Sequence, residues 1–331
     1  MNGYQRISHY KSHLMGIAIM IVVYGHLLYY HGNLIPYEEN HWTEWYTLGS
    51  VEMFMFVSGF GIYQSLLKNR DAWTFYGRRL GRLLPSYIPV MLAWCAVNVI
   101  KGRMLPSEAV GNLTAMGYWF QTANQFNWYV PAILILYLLS PLLFDAIQKK
   151  KAGWAMAALV IVYVAGWRSN VLMAVTRFPT YFLGMIFGAE YAAGRAPGKR
   201  NLIVSYVVGV IAMIVVVPVF QLRRWYLWYY GLYWNLFVIA SPFWMYGITK
   251  LLEWQDRIAP GRWVNKAWSF LGARSFEIYL CHLALYDSCL KMGIQGWKKW
   301  ILIACLGTGI GIAFHEVVER CLKWWKQRKT A

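Results

Sequence analysis

Stretches of about twenty residues with almost no charge recur along this chain, and a helix needs about that many apolar residues to cross a bilayer. "AILILYLLSPLL" and "LIVSYVVGVIAMIVVVPVF" lie in two of them. The chain is 59% hydrophobic and only 14% charged, against roughly a quarter charged in soluble domains. We therefore read an all-α polytopic membrane protein, a bundle of about ten transmembrane helices. The spans fall near 13–31, 45–67, 83–100, 127–143, 152–167, 171–191, 202–220, 228–251, 270–290 and 299–318. A short turn around "GWRSN" joins the fifth and sixth. The first run lacks a small-residue cleavage site and reads as a retained span. No separate soluble domain is visible, so residues 1–331 are expected to form a single transmembrane domain.

Orientation follows from basic residues. Of 32 Lys and Arg, 23 fall in segments on the same side as the N-terminus and 8 on the other, with Arg177 inside a span. This bias predicts both termini in the cytoplasm. The formal charge of +18 then reflects topology and contact with anionic membrane lipids. Nucleic-acid binding is not expected, because no domain is present to display a basic groove. Cys95, Cys281, Cys289, Cys305 and Cys321 lie in or beside spans without metal-type spacing, and read as small apolar fillers. The longest stretch between spans, about 101–126, suits a short helix on or in the membrane surface.

Polar and ionisable groups inside spans are costly and usually face a bundle interior or a wet cavity. They are His26, Glu52, Arg177, Glu277, His282 and the pair His315–Glu316. His26 ends the run "MGIAIMIVVYGH"; it is either bonded to a neighbouring helix or a general base, since imidazole takes and returns protons near neutral pH. Glu52 can orient an imidazole or pair with a cation. Ser58 belongs to "SGF", a small pair that lets helices approach. In "FYGRRLGRLLPSY", Arg78 and Arg82 share a helix face and Arg79 lies close to it. These are either ordinary cytoplasmic charge or a phosphate clamp, and a cytoplasmic phosphate ligand bearing a thioester is a coenzyme A. Arg177 either reaches out to headgroups or turns inward. Ser275, Tyr279 and His282 follow an i, i+4, i+7 pattern and line one face, with Glu277 beside them. Trp128 in "NWYV" sits among the aromatic clusters of the outer boundary, which interface belts largely explain; a sugar-stacking surface is the minority reading.

In order, these motifs resemble the membrane-bound acyltransferase-3 family of bacterial integral-membrane O-acyltransferases. "MGIAIMIVVYGH" is similar to its first span, a basic residue followed by ten residues and His. "SVEMFMFVSGF" resembles its acidic SGF span, and "FYGRRLGRLLPSY" its Arg-rich stretch. "NWYVPAILILYLLSPLL", "RFPTYFLGMIFG" and "SFEIYLCH" resemble later spans. The resemblance implies transfer of an acyl group, most often acetyl, from cytoplasmic acyl-CoA to a hydroxyl of a cell-surface or lipid-linked saccharide. The donor is a substrate; no permanently bound cofactor and no metal is implied. It implies His26 as the essential histidine and Arg78, Arg79 and Arg82 at the donor site, with Ser58 beside it and Glu52 supporting His26. Trp128, Arg177, Ser275, Glu277, Tyr279 and His282 are then expected around the substrate cavity, in a bacterial cytoplasmic membrane. One position departs: Met15 stands where the family carries a basic residue. Lys11, Ser12 or His13 substitutes for it, donor handling differs, or activity is impaired. A transporter or flippase of a lipid-linked or small acyl compound, or a degenerate membrane sensor, is the rival reading.

Overall fold

The computed structural model describes residues 1–28, 49–120, 127–165, 171–221, 232–294, 298 and 300–330. The turn "GWRSN" and the aromatic clusters at 41–46 and 223–230 lie outside them. The described residues form helices and connections with no strand among them. In chain order these are α1 (Gly3–His9), α2 (Lys11–Leu28), α3 (Ser50–Lys68), α4 (Ala72–Ile100), α5 (Pro106–Leu113), α6 (Gly117–Phe120), α7 (Tyr129–Gln148) and α8 (Ala152–Ala165). They continue with α9 (Leu172–Val175), α10 (Phe178–Ala192), α11 (Lys199–Gln221), α12 (Leu232–Gln255), α13 (Ala259–Ala273), α14 (Ser275–Lys291), a π-helix (Ile301–Gly307) and α15 (Thr308–Thr330).

Four segments, 72–100, 129–148, 172–192 and 301–328, are long and apolar enough to cross a membrane, and 11–27 and 152–165 are shorter apolar helices. Their outward faces are greasy. Ile161 and Val164 of α8, and Ile203, Val207, Ile211 and Ile214 of α11, are exposed, the inverse of a soluble surface and the face that lipid covers. These apolar helices mark a membrane protein.

Several boundaries depart from the sequence reading, among them the last, whose helix runs on to Thr330. The third span begins eleven residues early, because the Arg-rich stretch is the first part of α4, which runs unbroken through Pro85 and Pro89. Asp71 caps it, accepting from the Thr74 amide at 2.6 Å, so the helix is started firmly ahead of the prolines. The ninth span divides at Arg274 into α13 and α14. The surface stretch does contain short helices, α5 and α6.

The "SGF" motif fixes a tight seam. A Cβ added at Gly59 would stand 1.9 Å from the Tyr181 carbonyl oxygen, and one at Gly184 would stand 2.0 Å from that of Phe56. Backbones of α3 and α10 therefore touch, as small residues permit in lipid. This brings Glu52, near the start of α3, to Arg177, at the start of α10. On the other side α2 packs along α13 and against α3 and α14. At one end of the molecule α1 is pinned to the α12–α13 connection: Tyr10 donates to Asp256 at 2.5 Å and Asn265 donates to its other oxygen at 2.7 Å.

Candidate active site

His26 lies in the last turn of α2, half-buried, and meets α14. Its Nδ1 is 3.0 Å from Nε2 of His282, which is fully buried. His282 Nδ1 is 2.8 Å from the Ile278 carbonyl oxygen, one turn back along α14. Tyr286 covers the His26 ring at 5.1 Å between centroids. The α14 backbone is braced from behind by the π-helix, where a Cβ at Gly307 would stand 2.8 Å from His282 Cα. Single-turn π segments often mark functional sites.

An apolar cavity lies between α2, α3, α7 and α14. Val22, one turn before His26, lines it with Phe54 and Phe276, while Ser275 and Tyr279 supply hydroxyls. Met15 lines it too, so the thioether occupies the wall where the resemblance expects a basic side chain. Tyr279 stands between the cavity and the histidines. Its ring is 5.9 Å from that of His282 and 5.3 Å from that of Tyr129, and its hydroxyl donates to Asn127 at 3.1 Å. Ser58, half-buried on α3, lies beside the Tyr129 hydroxyl.

Glu52 and Arg177 form an ion pair, Nε to Oε1 3.1 Å, with side chains 0% and 1% exposed. Arg177 also donates to the Met173 carbonyl at 2.9 Å and to Thr176 Oγ1 at 2.8 Å, and its guanidinium lies 5.0 Å from the Trp128 ring centroid. Arg177 thus turns inward rather than out to headgroups, and Glu52 meets a cation. The basic cluster divides. Arg78 and Arg82 are exposed, Arg78 donating to the Thr74 carbonyl at 3.3 Å. Arg79 is half-buried, 5.5 Å from the Phe75 ring centroid and within electrostatic reach of Tyr137 and Tyr181.

Glu277 lies on a different face of α14 from His282. It accepts from Ser86 at 2.5 Å and pairs with His315 Nδ1 at 3.0 Å, tying α14 to α4 and α15. Reading the sequence missed Ser86, although it sits in the "LLPSY" of the Arg-rich motif. It also missed a buried cluster at the other end of α14. Asp287 accepts from Trp94 Nε1 at 2.9 Å and from Lys291 at 2.8 Å, and Lys291 reaches Asn98 at 3.0 Å. The i, i+4 spacing of Asp287 and Lys291 was its only signal. Among the described residues no group of three or more His, Cys, Asp or Glu side chains is placed to hold a metal.

Apolar outer faces around a histidine pair, one member fully buried, and an interhelical cavity define a membrane protein with a polar site inside its helix bundle. A sequence profile described as an acyltransferase domain matches residues 13–316. The chain belongs to the acyltransferase-3 family, whose members are membrane acyltransferases. No curated protein and no solved structure matches it.

Proposed function

We propose that this chain is an O-acyltransferase that moves an acyl group, acetyl first among the candidates, from cytoplasmic acyl-CoA to a hydroxyl of a cell-surface or lipid-linked saccharide. The observation that carries this reading is His26, which meets buried His282 inside the bundle one helical turn beyond Val22, a wall residue of the cavity that Met15, Ser275 and Tyr279 also line. Family membership supports the acyl chemistry.

In this reading the phosphates of the donor meet the cluster of Arg78, Arg79 and Arg82 at the cytoplasmic end, where guanidinium groups bind phosphate bidentately. Arg79, the one turned inward, is the member placed to follow the donor into the bundle. The pantetheine arm brings the thioester toward His26, past Ser58 and Tyr129. The imidazole accepts the proton of the acceptor hydroxyl as its oxygen bonds to the thioester carbon. The carbon–sulfur bond then breaks, and the departing thiolate takes the proton back from the imidazolium. The Glu52–Arg177 pair holds α3 against α10 beside Trp128. Both termini lie in the cytoplasm of a bacterial cell under this proposal.

The test is release of coenzyme A from acetyl-CoA by the purified protein in detergent, beside His26→Ala and Met15→Arg. Turnover lost by at least about 100-fold in His26→Ala is expected, the scale of general-base catalysis. Full turnover in that variant overturns the assignment. A lower KM in Met15→Arg measures what the thioether costs in donor binding.

A further inference from the structure

We infer that His282 is a positioning residue that fixes the tautomer and direction of the His26 ring, leaving Nε2 of His26 as the nitrogen that takes the proton. The inference rests on the acyl-transfer reading and deepens it. A carbonyl oxygen only accepts hydrogen bonds, so the 2.8 Å contact with Ile278 requires a proton on His282 Nδ1. Two arrangements then satisfy the 3.0 Å contact between the rings. In the first, His282 is neutral, its Nε2 accepts, and His26 donates from Nδ1. In the second, His282 carries a second proton on Nε2 and donates it to His26.

The second arrangement places a whole charge on a side chain with 0% exposure. The described groups around that ring offer no carboxylate to offset it. Glu277 faces Ser86 and His315, Asp287 faces Trp94 and Lys291, and Glu52 faces Arg177. Tyr279 and Gly307 are the immediate neighbours. An unpaired buried charge is far costlier than a neutral hydrogen bond, so the first arrangement holds. With Nδ1 of neutral His26 committed as a donor, its lone pair is on Nε2.

The same chain of bonds strengthens as the reaction proceeds. When His26 becomes an imidazolium, its Nδ1–H bond to His282 becomes charge-assisted, and such bonds are roughly twice as strong as neutral ones. The gain appears in the transition state and not in the substrate complex, so it belongs to kcat.

The experiment measures coenzyme A release by wild type, His26→Ala, His282→Ala and His282→Gln in the same detergent. His282→Ala is expected to lower kcat about 10- to 100-fold with KM within about twofold. His282→Gln, whose side-chain carbonyl can accept the same Nδ1–H, is expected to recover most of that loss. Turnover that needs His26 but not His282 overturns this inference alone. So does a rise in KM with kcat unchanged, or a Gln variant no better than Ala. Turnover indifferent to both histidines, or no turnover in any protein, overturns the acyl-transfer reading and this one with it.

Discussion

The Glu52–Arg177 pair gives the sharpest test of how this bundle is held together. Both side chains are essentially sealed from the surroundings and separated by 3.1 Å. Removing one member of such a pair strands the other as a buried charge, which costs about 3–5 kcal/mol. The two halves are not equivalent. After Glu52→Gln, Arg177 keeps the Met173 carbonyl, the Thr176 hydroxyl and the Trp128 face, which places that variant near the lower end, ~3 kcal/mol. After Arg177→Met, the Glu52 carboxylate loses the only cation paired with it among the described residues, which places the loss near ~5 kcal/mol. Replacing both removes the charges together, and buried pairs exchanged for apolar or neutral groups are often close to neutral. The double variant is therefore expected within ~1–2 kcal/mol of wild type, and the cycle should show a coupling of several kcal/mol. The assay is unfolding of the purified protein against mole fraction of sodium dodecyl sulfate, followed by far-ultraviolet circular dichroism. Single variants costing under ~1 kcal/mol, or a double variant equal to the sum of the singles, would refute the reasoning.

Gly59→Ala forces the α3 and α10 backbones apart, since its Cβ would sit 1.9 Å from a carbonyl oxygen; an overpacking loss of about 2–3 kcal/mol is expected in the same titration. Gly61→Ala, with nothing within 4 Å, should be neutral or slightly stabilising. Burial raises the Asp256 carboxyl, but hydrogen bonds from Tyr10 and Asn265 outweigh it and hold the group below the usual carboxylate range. Its contribution to stability is thus present above its unfolded value of about 3.9 and is lost as pH falls through the lower folded value. Between about pH 5 and 2.5, the stability difference between wild type and Asp256→Asn should shrink, read as the gap between their thermal midpoints. Ser86→Ala removes the donor to a buried carboxylate oxygen and should cost about 1–3 kcal/mol in the detergent titration.

The helices were legible because length and apolarity decide them in lipid. Near every expected span the described residues hold a helix, from Lys11–Leu28 to Thr308–Thr330. The misplaced boundaries have separate causes. Pro85 and Pro89 each remove an amide donor and crowd the carbonyl one turn back, yet α4, capped at Asp71, runs through both. At Arg274 the break between α13 and α14 has no proline beside it; Gly272, two residues earlier, and a basic side chain at the helix end mark it in the sequence.

The members of the site were legible one by one, and their partners were not. An ionisable residue in an apolar run is conspicuous wherever it falls, so His26, Glu52, Arg177 and His282 stood out without any contact being known. Which of them meet depends on which helix faces touch, and the sequence encodes that through glycines. Gly59 and Gly184 draw α3 onto α10 and so deliver Glu52 to Arg177; Gly307 lets the π-helix press on α14 behind His282. What selects the pairing is therefore the pattern of small residues around each polar group, and the polar groups themselves only record that a pairing must exist.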